Sequence, residues 1–209
     1  PRWAPTTDAI EMPNQDMLRR KEWHLIVLAY LRAHLKECLE AKLKEYNDAN
    51  PIMDLVLFSQ AMGHVTRATR ILENPRGNAL LVGVGGSGKQ SLCKLASSIC
   101  GFALIQISVT ATYGVVDLKE DLKLMYAKAG VKDEGISFLL TDSQITNEKF
   151  LIYINALLSS GWISDLFAKD EIDALLGGMN GEAKGANIPD VPEARMEFTI
   201  KRFRAQFKL

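Results

Sequence analysis

Apolar residues recur at steps of three and four through Trp23, Ile26, Val27, Tyr30, Leu31, His34, Leu35, Cys38, Leu39 and Leu43, with charged residues between them. That spacing predicts an amphipathic helix from about Met17 to Asn47, after an irregular lead-in over 1–16 rich in Pro, Thr and Asn. Asn50-Pro51 ends it, because the residue before a proline is pushed out of the helical region. A second helix is predicted from Leu57 to Leu72, then a turn over Pro75-Arg76-Gly77-Asn78. The run ALLVG, 79–83, is too short for a helix and reads as a buried strand. A helix from Gln90 to Cys100 follows, with Leu92, Leu95, Ala96 and Ile99 on one face. ALIQISV (103–109) and ISFLLTD (136–142) read as the second and third strands. Between and after them come helices at Val115–Ala129, closed by Gly130, and Asn147–Leu158, ended by Gly161. A short helix (Lys169–Leu176) and the soft stretch GGMNGEAKGANIPDVP (177–192) lead to a last helix, Pro192–Phe207. Three strand–loop–helix repeats predict an α/β fold with a parallel sheet and flanking helices.

Composition narrows the function classes without choosing among them. The 209 residues suffice for one domain with an appended helical piece. Lys plus Arg and Asp plus Glu number 25 each, so no global field favours nucleic acid or an anionic membrane as partner. No apolar run approaches a membrane span, and PRWAPTTDAIEMP lacks the apolar core of a signal peptide, which points to the cytosol. Cys38, Cys93 and Cys100 form no C-x-x-C pair and read as reduced, buried small residues. His24, His34 and His64 are scattered and read as structural. The first residue is Pro, which suggests an excised segment.

The chemistry lies in GVGGSGKQS, 83–91. It follows the first predicted strand and opens a predicted helix, the context a phosphate-binding loop requires. Gly83, Gly85, Gly86 and Gly88 let successive backbone N–H groups of the loop, Ser87 included, turn toward an anion. The helix beginning near Lys89 aims its positive end at the same place. Lys89 fits as the counter-charge of the outer phosphates. Where G-x-x-x-x-G-K-[ST] supplies a hydroxyl for Mg²⁺, this sequence has Gln90, and Ser91 comes one residue late. A glutamine amide can reach the metal or its waters, but Mg²⁺ favours compact hard ligands in near-octahedral array. FLLTD at the end of the third strand is a Walker B pattern, whose Asp142 would hold Mg²⁺ through its water shell at the carboxyl edge of the sheet. The position after it, often a general-base Glu in ATPases, is Ser143, a poor base without a partner. Gln144 could orient water but reads as structural. No N-K-x-D base-reading motif follows the third strand, which argues against a small GTPase. Three functions stay open on these residues: a binding module with weak or no hydrolysis, an active ATPase, and a structural segment whose nucleotide site is empty.

MDLVLF (53–58), RILENPRGNALLVGVGGSGKQSL (70–92), YGVVDLKEDLK (113–123), FLLTDSQI (138–145) and INALLSSGWISDLF (154–167) resemble the dynein heavy chain, specifically the fourth AAA+ module of its axonemal form. The resemblance implies a P-loop NTPase (AAA+) fold with ATP or ADP and Mg²⁺ as cofactors, Lys89 on the phosphates, and Asp142 with Gln90 on the metal side. It places Leu55, Val56 and Phe58 against adenine. It implies a module that tunes a microtubule motor of the ciliary axoneme and hydrolyses little. Its partners would be neighbouring AAA+ modules and, through the full-length motor, intermediate and light chains and the microtubule. Residues 1–50 would form the lead-in and connection from the preceding module, and 51–209 a partial large subdomain. AAA+ sheets run 5-1-4-3-2, and the chain stops at 207–209, where the fourth strand should begin. The fold is therefore expected to be truncated before its fourth and fifth core strands, the first and third strands to lack the one between them, and the segment not to fold as an autonomous unit.

Overall fold

In the computed structural model the described residues are 23–209, without the side chains of 23–27 and of Asn180. The lead-in, the helix start at Met17, and the side chains of Trp23, His24, Ile26 and Val27 lie outside that range.

Helix α1 spans Trp23–Ala49. Leu35, Leu39, Leu43 and Tyr46, one helical turn apart, face a shared cluster with Leu57, Ala61, Met62 and Val65. At its end the Asn47 carboxamide binds both backbone groups of Met53, at 2.9 and 3.2 Å, and turns the chain back. Helix α2 (Ser59–Glu73) buries Ala61, Met62, Val65, Ala68 and Leu72. Helix α3 (Lys89–Ile99) buries Leu92, Leu95, Ala96 and Ser97. The cluster of Ala68, Leu72 and Ala96 joins these two helices.

The sheet contains β1 (Ala103–Ile105), β2 (Ile136–Phe138) and β3 (Phe207–Lys208), in the order β1-β2-β3 and parallel throughout. All three residues of β2 are buried, as expected of a strand covered on both faces. Its alternation assigns the layers. Ile136 and Phe138 enter the main core with α4 (Val115–Tyr126), α5 (Lys149–Ser159) and α8 (Pro192–Gln206). Ser137 points the other way, its Oγ 2.9 Å from Ser97 Oγ on α3. The architecture is therefore a parallel α/β sheet between two helical layers. In the main core Tyr126 stacks on Phe203, ring centroids 4.0 Å apart, and its hydroxyl donates to Gly161 O at 2.8 Å.

Several expectations change here. The run 79–83 is not a strand. Among the described residues only Ala79 pairs, its N–H donating to Leu209 O at 2.8 Å, and Leu80 and Val82 are 91% and 87% exposed. An apolar run needs a neighbouring backbone to become a ladder, and the chain at β3 supplies one bond, through Leu209 just after the strand. β3 lies beside β2 with Ala79 on its far side, so the position between the third strand and the loop-bearing segment is held by two residues. The other two strands are shorter than predicted. Gly130 does not close α4. It lies in a π-turn, Ala127–Val131, where an added Cβ would come within 3.1 Å of Thr199 Cγ2 on α8. The glycine-rich stretch after α6 (Lys169–Gly178) holds a six-residue helix, α7 (Asn180–Gly185), anchored by buried Met179 and Ala183. Among the described residues, no helix is long and apolar enough to cross a membrane.

Candidate functional site

The topology brings the two sequence motifs to one edge. Helix α3 runs back into β1 through Gly101-Phe102, so it is antiparallel to the strands and its first turn lies at their carboxyl ends. From Ser97 back to Lys89 the helix climbs about 12 Å. From its partner Ser137 forward to Asp142 an extended chain climbs about 16 Å. The glycine loop and the Asp142 turn therefore share the edge where open parallel sheets bind ligands.

The loop has the conformation its glycines permit. Gly86 and Gly88 adopt φ of 73° and 76°, the left-handed region that costs other residues strain. Gly88 is the N-cap of α3, which has no side-chain cap and no acidic residue in its first turn. Its leading N–H groups and the positive end of its dipole thus remain available to an anion. A Cβ added at Gly85 or Gly86 would meet nothing within 4 Å, so the backbone there borders open space. Lys89 folds back over the loop: its Nζ donates to Gly83 O at 2.7 Å, Val84 O at 2.6 Å and Ser87 Oγ at 3.2 Å. Gln90 is exposed and Ser91 half-buried, both within the first turn of the helix.

At the end of β2 the chain makes a 3₁₀ turn, Asp142–Gln144. Asp142 is exposed and its Oδ1 accepts the Ser143 N–H at 3.0 Å. Ser143 is exposed, its hydroxyl 3.1 Å from that of Thr141. The buried Gln144 uses both ends of its amide: Oε1 accepts the Thr141 N–H at 2.8 Å, and Nε2 donates to Ile107 O at 2.6 Å. That bond ties the segments leaving β1 and β2 together and holds the amide in a buried, structural orientation.

The segment before α2 divides. Leu55 is half-buried, its Cδ1 3.9 Å from a Cβ placed on Gly88, whereas Val56 and Phe58 are exposed. An extended chain alternates sides, so Leu55 with buried Leu57 faces inward and Val56 with Phe58 outward. The structure brings Gly83, Ser87, Gly88, Lys89 and Leu55 together, and holds Val56 and Phe58 on the opposite side of their segment.

The donor set suits a phosphate chain: backbone N–H groups, a helix N-terminus and one ammonium. The described residues contain no cluster of three or more His, Cys, Asp or Glu able to hold a metal. A cation at Asp142 would draw most of its shell from water and ligand oxygens, as Mg²⁺ does at phosphate sites. A sequence profile for the P-loop containing dynein motor region D4 matches residues 53–209. The chain belongs to this dynein family. The flagellar outer-arm dynein beta chain of Chlamydomonas reinhardtii is 55% identical over 170 residues, 81% of this chain. The ciliary dynein beta chain of Tripneustes gratilla is 52% identical over 174 residues, or 83%, and human dynein axonemal heavy chain 17 is 48% identical over 177 residues, or 85%. The chain spans about 4% of the length of each of these dyneins. Within this dynein D4 segment, sequence reasoning missed the contacts of Lys208 and Leu209 with the turn that precedes the loop. Their only signal was a lysine in an otherwise apolar strand start.

Proposed function

We propose that this chain is the nucleotide-binding part of the fourth AAA+ module of a ciliary dynein heavy chain, and that it binds ATP or ADP with Mg²⁺ while hydrolysing little or none. The observation that carries the reading is the pairing of an uncapped helix N-terminus and Lys89 with an Asp142 turn that contains no general base. Gly83 to Gly88 present N–H groups to the phosphates, and Lys89 exchanges its loop carbonyls for phosphate oxygen. Asp142, with Gln90 from the first turn of α3, orients the waters of the cation. Leu55 offers the apolar wall nearest the loop. Val56 and Phe58 join it only if the segment turns as the site fills. Mg²⁺, when bound, would supply charge neutralisation for the phosphates.

Weak hydrolysis follows from two side chains. Ser143 stands where a carboxylate would activate water and has a hydroxyl as its neighbour, and Gln144 is committed to Thr141 and Ile107. A serine with no base beside it contributes little to proton transfer. We further read 51–209 as part of the large subdomain and α1 as the connection from the preceding module. Neighbouring modules, intermediate and light chains and the microtubule would be reached through the full-length motor in the axoneme. The motor, ciliary and flagellar context comes from the names of the similar dyneins.

Single-turnover hydrolysis with excess protein tests the proposal. Ser143→Glu should raise the rate at least tenfold, a conventional general-base contribution being about 10²–10⁴. A wild-type rate already fast and insensitive to that change would replace it with an active ATPase. Equal, negligible ATP affinity in wild type and Lys89→Ala would leave a structural module.

A further inference from the structure

Among the described residues, the segment that carries the phosphate loop touches the sheet at one end only, its other end being braced by Lys89 alone. From Ala79 to Gly83 it runs about 13 Å, with Leu80, Val82 and Val84 exposed and its sheet contact among the described residues limited to the Ala79 N–H. At that end the chain meets a polar clasp built by the last two residues. Lys208 is 1% exposed, and its Nζ donates to Asn74 O at 2.7 Å and lies 5.9 Å from the centre of the Phe102 ring. Asn74 is the C-cap of α2, where helix carbonyls attract a cation. The same Asn74 oxygen accepts the Gly77 N–H at 2.9 Å, so the ammonium and the turn share one acceptor. Leu209 continues the clasp: its N–H donates to Asn78 Oδ1 at 2.9 Å, and its carbonyl accepts from Ala79. Three anchor points, Asn74, Asn78 and Ala79, are thereby fixed to Lys208 and Leu209. Burial pushes the Lys208 ammonium below its ordinary value, so the charge is held at a cost, and an apolar side chain would fill the position without it.

We propose that Lys208 is a positioning residue for the phosphate loop: its buried ammonium, together with Leu209, fixes where the loop-bearing segment leaves the α2 turn, without touching nucleotide. The affinity part of this rests on the nucleotide reading above. The positional part does not.

Both parts are tested on the 209-residue chain with Lys208→Met, which keeps the length of the side chain and removes the charge, and with the milder, exposed Asn78→Ala. Amide hydrogen exchange is read at Gly77 and Ala79, whose N–H groups bond to Asn74 O and Leu209 O, against the control amides of β1 and β2, and Mg-ATP affinity is measured alongside. Lys208→Met should speed exchange at Gly77 and Ala79 about tenfold, with β1 and β2 unchanged, and weaken Mg-ATP binding by a similar factor. Asn78→Ala should show the same local pattern at smaller size. Exchange at Gly77 and Ala79 unchanged in both variants would overturn the proposal. Exchange accelerated equally across the sheet in both would also overturn it, since Lys208 would then serve general stability. Should wild type not bind Mg-ATP, the nucleotide reading fails, and the exchange comparison still decides the clasp.

Discussion

Replacing Lys89 by Met separates the two things this side chain does. Without ligand, its ammonium braces Gly83 O, Val84 O and Ser87 Oγ at 2.7, 2.6 and 3.2 Å. Those acceptors belong to exposed residues, so water replaces the lost bonds and the stability change should stay within about 0.5 kcal/mol, as for most surface substitutions. On a phosphate the lysine makes a charge-assisted contact worth about 1.5–3 kcal/mol, and at about 1.4 kcal/mol per tenfold its loss weakens binding roughly 10–150-fold. Isothermal titration with Mg-ATP at about 0.1 M salt measures the ratio, and urea unfolding of both proteins measures stability. Raising the salt should narrow the ratio, since screening weakens the charge term. A ratio below threefold, or an unfolding free energy lowered by more than about 1 kcal/mol, would refute the reasoning, because Lys89 would then be a brace for the loop and little else.

Gly88→Ala should cost about 1–2 kcal/mol in urea unfolding, because φ is 76° while an added Cβ would meet only Leu55 Cδ1, at an ordinary 3.9 Å. Gly63→Ala, mid-helix with nothing within 4 Å, should instead stabilise by about 0.8–1 kcal/mol. Tyr126→Phe removes the hydroxyl that donates to Gly161 O and keeps the ring stack on Phe203; calorimetry should show a loss of about 1–2 kcal/mol, and no loss would mean that the bond is idle. Iodoacetamide at neutral pH should label exposed Cys38 first. Cys100 should lag far behind, its thiol pushed up to about 11 by burial and the nearby Glu73, as peptide mass spectrometry would show.

The sequence made the helices legible wherever their apolar spacing was strict: α2, α3 and α5 fall within a residue or two of where Leu72, Leu92 and Ile154 place them. ALLVG was misread because its composition satisfies a strand, while strand formation depends on a partner from 130 residues away, which reaches it only through Leu209. Helix α7 hid in a glycine-rich stretch because Met179 and Ala183 bury through contacts no local pattern reports. In the candidate site, the left-handed turns of the glycine loop and the placing of Lys89 and Asp142 at one edge of the sheet were readable from residue type and order. The recoil of Lys89 onto Gly83 and Val84, the commitment of Gln144, and the outward facing of Val56 and Phe58 were not. Each depends on where a backbone turns in space, and the letters around it allow more than one answer.

The buried hydroxyls of Ser97 and Ser137 act as an alignment pin. Apolar surfaces slide over one another with little directional penalty, whereas two hydroxyls 2.9 Å apart in a dry interface lose their bond if the helix shifts along the strand. A slip of one helical turn, about 5.4 Å, would strand the Ser137 hydroxyl, leave Ser97 only the Cys93 carbonyl of its own helix, and carry Lys89 the same distance relative to Asp142. Changing both serines to alanine would keep the layer packed, yet leave the lysine-to-carboxylate distance to contacts that tolerate many values. One polar pair near the middle of the sheet thus sets the gauge of an opening at its edge.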